Sequence, residues 1–152
     1  MLEKLPTRLN LEKRGITVLS NMCPLCNKVE EIAQHVFINC EIAKKVWDNC
    51  DRWIGISFAR HHTIVNHFQQ FYLSDFNRKI NEIWKGVCVA ILWEIWKHRN
   101  KVVFNNGVVD DIEIFTLAHV KAWSWVKFKW HKVNYSASEW FLCPFLNLGS
   151  IT

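Results

Sequence analysis

The chain has 152 residues, half of them apolar, and a formal charge of +5 from 19 Lys and Arg against 14 Asp and Glu. That length and composition suit one ordinary buried core and exclude a disordered linker; the longest apolar stretch, Gly86 to Trp93, is bracketed by Lys85 and Glu94 and is far too short to span a bilayer, so no membrane partner is expected. The basic surplus is compatible with nucleic acid and equally with an ordinary soluble protein, while nine Trp and ten Phe leave some aromatics for helix crossings and some for a partner.

Residues 1–22 are mixed, with Pro6 early and a turn expected at Arg14-Gly15. Cys23-Pro24-Leu25-Cys26 reads as a tight turn leading into helix, with Ile32, Val36 and Phe37, then Ile42, Val46 and Trp53, at helical spacing. Residues 54–74 are read as a loop, from Gly55 and the His61-His62 pair. From Asp75, a plausible cap, Ile80, Ile83, Trp84, Val87, Ile91 and Ile95 mark a helical stripe that runs on to Val102 and Val103. Asn105-Asn106-Gly107 ends it, because these residues tolerate a left-handed turn. A second helix starts at Asp110, with Glu113 placed to reach back as in a capping box. Ile114, Phe115, Leu117, Ala118, Ala122, Trp125 and Val126 carry its apolar surface toward Trp130. Strand signals are weak throughout. The expected fold is all-α: a zinc-stabilised N-terminal module over residues 1–55, a linker or loop over 56–74, and a long helical hairpin over 75–152 packed with the module.

The zinc expectation comes from Cys23, Cys26, His35 and Cys40, spaced Cys-x2-Cys-x8-His-x4-Cys. Two cysteines two residues apart fit a tight turn that aims both sulfurs at one ion, and a His and a Cys farther on can complete a tetrahedron. Thiolates select zinc over magnesium or calcium. Three thiolates and one imidazole fill the coordination shell, whereas hydrolytic zinc needs an open position, so one structural Zn2+ is expected. The rival reading is two buried thiols or a redox pair with an unrelated histidine. A zinc deaminase is excluded, since that signature places His-x-Glu before its Pro-Cys-x2-Cys.

Three of the six cysteines remain outside this set: Cys50, Cys88 and Cys143. That number is odd, and the opening Met-Leu-Glu-Lys-Leu-Pro has no apolar signal region. Reduced thiols in the nucleus or cytoplasm are therefore expected. Cys88 falls on the apolar stripe as a small core residue. His61, His62 and His67 lack further ligands and read as loop histidines. No nucleophile triad or phosphate loop is visible, and no enzyme activity is expected.

Several segments resemble the zinc-binding domain found downstream of the reverse transcriptase in plant LINE-type (non-LTR) retrotransposons. They are Leu5-Pro6-Thr7, Arg14-Gly15-Ile16, Cys23-Pro24-Leu25-Cys26, Glu31, His35-Val36-Phe37, Cys40, Ala43 and Val46-Trp47. Leu92-Trp93-Glu94-Ile95-Trp96-Lys97, Arg99-Asn100-Lys101-Val102-Val103-Phe104, Ala122-Trp123-Ser124-Trp125, Trp140 and Cys143-Pro144 are similar, more loosely, to the tail of the same polyproteins. The family's domain usually opens with a further helical stretch before Leu-Pro-Thr, and four residues precede that element here. The helical hairpin or a second chain are the candidates to cover that side. No polymerase or endonuclease motif is present. The resemblance implies a retroelement-derived, non-catalytic zinc module kept by its host for another purpose.

Nucleic acid, either RNA or single-stranded DNA, is the first partner expected. Arg14, Lys28, Lys44, Lys45 and Arg52 are candidates to ring the zinc module. Lys97, Arg99 and Lys101, with Lys121, Lys127, Lys129 and Lys132 among Trp123, Trp125, Phe128 and Trp130, offer cations beside stacking rings. A solvated helix face over a Trp-filled core fits the tail residues as well. The alternative function is a protein-interaction adaptor, with exposed Trp on the hairpin docking to another protein or to a second copy.

Overall fold

A computed structural model describes residues 4–72, 77–130 and 136–142. The described residues are helical, with α1 at Arg8–Lys13, α2 at Glu41–Ile54, α3 at Ile64–Gln69, α4 at Arg78–Asn105, α5 at Asp111–Lys129 and α6 at Ala137–Leu142. A π-helical turn, His35–Asn39, precedes α2. Pairing of β type among these residues is limited to one bridge, Met22 to Glu30. No helix among them is long and apolar enough to cross a membrane.

The expected hairpin forms, with α4 and α5 packed along each other and α2 laid against α5. Ile80, Ile83, Trp84, Val87, Ile91 and Ile95 are all buried, and Cys88 joins them. Asn106, left-handed at φ 50°, ends α4. The expected cap Asp75 lies outside the described residues; Asn77 caps α4, its side chain accepting from the Ile80 amide at 3.0 Å. Asp110 caps α5 as expected, accepting from Ile112 and Glu113. The capping box does not close, because His98 Nε2 lies 3.1 Å from the Asp110 amide and takes that donor. Glu113 pairs instead with Lys101 at 2.8 Å. Leu117 and Trp125 are exposed rather than core.

Residues 54–72 are more than a loop. Gly55, at φ 74°, closes α2 in the left-handed conformation that glycine adopts without strain. The chain is then clamped to α2 by Arg60, which bonds Asp48 at 2.7 Å and Asp51 at 2.8 Å. Thr63 caps α3 by accepting from the Asn66 amide. His67 is therefore no loop histidine: it is fully buried on α3 against Trp47, with ring centroids 4.3 Å apart. The helix escaped the sequence reading because six residues give too little periodicity; the Thr63 cap was its only signal.

Two aromatic centres tie the layers. In one, buried Trp47 donates its indole N–H to the Phe37 carbonyl at 2.8 Å and meets Phe71. In the other, Trp53 of α2 packs on Trp84 of α4, His119 of α5 and Trp140 of α6. His119 is buried there between Trp53 and Phe115, and neither ring nitrogen has a hydrogen-bond partner among the described residues. Burial without a partner pushes its pKa down from 6.5 to about 3. The unfolded chain then takes up a proton near pH 6.5 that the folded chain refuses, so stability present above pH 6.5 is lost as pH falls toward 3. At pH 5 the loss from this one ring is about 2 kcal/mol. His119→Leu removes that proton uptake, so its stability relative to the parent should improve by about that amount between pH 7.5 and pH 5. Urea denaturation of both proteins at the two pH values checks this; a gap that does not change with pH would refute it.

Candidate metal centre

Backbone geometry around Cys23 builds the first half of the site. The Cys23 amide donates to Val29 O at 2.7 Å and the Asn27 amide donates to Cys23 O at 2.8 Å, folding Cys-Pro-Leu-Cys into a knuckle. Asn27 completes the turn at φ 55°, a left-handed position that Asn tolerates better than most side chains. The knuckle base is pinned by the Met22–Glu30 bridge and by the Glu31 amide donating to Asn21 O.

The π turn builds the other half. In a regular α-helix, residues five apart point about 140° away from each other, so His35 and Cys40 would diverge. Here the Cys40 amide reaches back five residues to His35 O at 2.7 Å, and the chain then turns extended at Cys40, ψ 137°, before α2 begins. Both side chains consequently face the knuckle. Such turns often mark functional positions in helices.

The outcome is a cluster in which one donor atom each from Cys23, Cys26, His35 and Cys40 lies within 4.8 Å of all the others. Cys26 Sγ and His35 Nε2 are 3.3 Å apart. Zinc bonds of about 2.3 Å to sulfur and about 2.0 Å to nitrogen imply corner separations of roughly 3.5–3.8 Å, so these donors fit one tetrahedral ion with small adjustments. Cys23 and Cys40 are fully buried and Cys26 half-buried, and none of the five described cysteines is disulfide-bonded. Cys143 lies outside the described residues.

The thiols are already differentiated. Hydrogen bonding to Cys40, reinforced by burial, pushes Cys23 up to about 12. Cys40 is lowered by the same hydrogen bond and by the Ile42 and Ala43 amides at the start of α2, where the helix terminus favours a thiolate. Lys28, paired with Glu41 at 2.6 Å, also feels the charges of Cys26 and Cys40. Three thiolates around a divalent cation leave one negative charge, which this ammonium partly offsets. The donor set fits one structural Zn2+, whose four tetrahedral positions these side chains would fill.

The other expected contact residues are distributed differently. Lys44, Lys45 and Arg52 stand exposed on α2, and Arg14 is exposed with its guanidinium donating to Lys4 O. Lys97, Lys101 and Lys129 are on the hairpin surface, paired with Glu94, Glu113 and Glu82. The Lys101 and Lys129 pairs are partly exposed, worth about 0–1 kcal/mol, and exchange readily for a phosphate; Glu94 is buried and holds both Lys97 and Lys121, so that pairing is not given up as easily. Lys127 lies 5.0 Å over the Trp123 ring; Lys132 lies outside the described residues. Arg99 must be corrected. It is 2 % exposed and its fork grips Glu31, with Nη2 to Oε2 at 2.7 Å, so it has no face left for nucleic acid. The charge balance of the local sequence concealed this, because Glu31 is 68 residues away.

That buried pair is what sequence reasoning missed. Glu31, fully buried beside the knuckle, also accepts from the Arg8 amide at the start of α1 at 2.6 Å. It thus ties the metal segment to α1 and α4. Phe37 of the π turn meets Trp96 of α4, and the Arg99 guanidinium lies 4.9 Å over the same indole. The hairpin, one of the two candidates to cover the zinc module, therefore packs on it directly.

No curated protein and no solved structure gives a significant match to this chain. Residues 1–47, which contain all four metal ligands, are similar to the family described as zinc-binding in reverse transcriptase, and residues 48–152 lie outside that match.

Proposed function

We propose that the chain is a non-catalytic, zinc-stabilised domain that binds RNA or single-stranded DNA. We further propose that it descends from a plant LINE-type retrotransposon polyprotein and serves its host in the nucleus or cytoplasm. The closed donor set supports a structural rather than a hydrolytic metal, and the motif resemblance of both halves supports the origin. The observation that carries the binding proposal is on α5, where lysines and indoles interleave: Lys127 over Trp123, and Lys129 over Trp125 and Trp130. Cations that meet phosphates beside rings that meet bases are the working parts of single-strand recognition. Residues 75–152 also carry more of the basic surplus than residues 1–55.

Neutralising about four phosphates of a single strand should make binding weaken about 50-fold between 50 and 200 mM salt. Fluorescence anisotropy with labelled RNA and DNA oligonucleotides measures this. No binding at low salt would end the proposal.

A second reading, a protein adaptor or self-associating module, is favoured by one observation. Leu117, Val120 and Phe128 leave apolar side chains exposed along α5. Association through such a surface would tolerate salt, so the same titration with a protein partner separates the two.

A further inference from the structure

An open groove of about 620 Å³ runs between α4 and α5 on the face that carries Trp93 and Trp125. Its floor is made of small residues, Gly86, Ala90 and Ala122. Its walls are indoles: Trp93 is 53 % exposed and Trp125 37 % exposed. Trp125 is seated against the α4 backbone, since a Cβ at position 86 would fall 2.7 Å from its ring. Glycine at that position in a long helix costs about 1 kcal/mol relative to alanine, and what it allows is this close approach.

Charge surrounds the slot unevenly. Lys85, Lys121 and Lys129 line its edge with Glu82; Lys129 pairs with Glu82 at 2.6 Å and Lys121 with the buried Glu94 at 3.4 Å, so three ammoniums stand against two carboxylates. Lys121 reaches 5.6 Å over Trp93 and Lys129 reaches 5.0 Å over Trp125. Two partly exposed indoles offer flat apolar surface to a planar group, and three ammoniums against two carboxylates favour negative charge next to it. A planar group attached to an anion describes a nucleotide. An acidic amphipathic helix would satisfy the charge too, but its aliphatic side chains would not stack on the two indoles as a base does.

We infer that this groove is a base-stacking subsite for unpaired nucleotides, with Trp93 and Trp125 as platforms and Lys85, Lys121 and Lys129 as phosphate contacts. The inference rests on the nucleic-acid reading above and deepens it: the ligand is single-stranded, and recognition is through base faces without sequence readout.

The test uses the full zinc-loaded chain with an oligothymidylate, an abasic oligomer of equal length and charge, the matching duplex, and an acidic amphipathic peptide. The oligothymidylate should quench Trp fluorescence and bind at least about tenfold tighter than the abasic oligomer or the duplex, the scale of one stacked base. Trp93→Ala should cost about tenfold in that affinity. Val89→Glu, which places a carboxylate at an exposed position lining the groove, should weaken binding similarly without disturbing the core. Equal binding of base-containing and abasic oligomers, with Trp93→Ala silent, overturns the subsite while leaving nucleic-acid binding intact. Failure of every oligonucleotide at low salt overturns both. Peptide binding that depends on Trp93, without oligonucleotide binding, reassigns the groove to a protein partner.

Discussion

Cys26→Ser, or extraction of the metal by a chelator, is expected to unfold the chain from Cys23 to Ile54 while leaving helix in α4 and α5. Structural zinc at three thiolates and an imidazole contributes about 10–16 kcal/mol in isolated finger peptides, as much as the stability of a whole domain. The Glu31–Arg99 pair and the Met22–Glu30 bridge hold only the base of the knuckle. The knuckle and the π turn meet at the donor atoms, and His35 reaches Cys40 through the π turn. Beyond Cys40, however, Ala43, Val46 and Trp47 are fully buried, so the consequence spreads into α2. The α4–α5 hairpin has its own mutual packing and keeps its ladder. Even a net loss of about 5 kcal/mol lowers the melting temperature by roughly 10–20 °C for a chain of this size. Hydrogen exchange should show protection lost first across residues 23–54, and zinc should restore it in the chelated parent but not in the variant. A variant whose melting temperature and exchange pattern match the parent would remove the metal from the folding of this protein.

The parts of this architecture that were legible from sequence are those written locally. The ligand spacing needs only a turn and a short following segment, and the hairpin announces itself through the Ile80–Ile95 stripe, Asn106 and the Asp110 cap. What escaped depends on distance along the chain or on competition for one donor. Arg99 looks like a surface cation beside Lys97 and Lys101, because nothing nearby says that Glu31 will meet it. Glu113 satisfies the capping-box spacing, yet His98 from the preceding helix takes the Asp110 amide first. His67 reads as one of a loop trio until Trp47 covers it. The groove at Trp93 needed both helices in place, since Gly86 reveals its purpose only when Trp125 is laid against it.

Glu31→Ala should cost about 3–5 kcal/mol, and Arg99→Ala a similar amount, because each leaves a buried charge without its partner. Two features place this pair above an ordinary ion pair. Both side chains are almost completely excluded from water, and the contact is bidentate, which satisfies the fork and the carboxylate together. Glu31 also takes the Arg8 amide, one of the donors that every helix start leaves unsatisfied. Removing the carboxylate therefore strands a guanidinium on α4 and an amide on α1 at once, whereas removing the guanidinium strands only the carboxylate. Glu31→Ala should consequently loosen α1 as well as the module–hairpin junction, and Arg99→Ala chiefly the junction. The double variant Glu31→Met with Arg99→Leu should recover much of the lost stability, since two apolar side chains bury there without desolvating charge. Urea denaturation of the zinc-loaded parent, the two single variants and the double variant decides it. If each single variant loses less than about 1 kcal/mol, the pair behaves as an exposed one does, and the tie between the metal segment and the hairpin must lie in the Phe37–Trp96 contact instead.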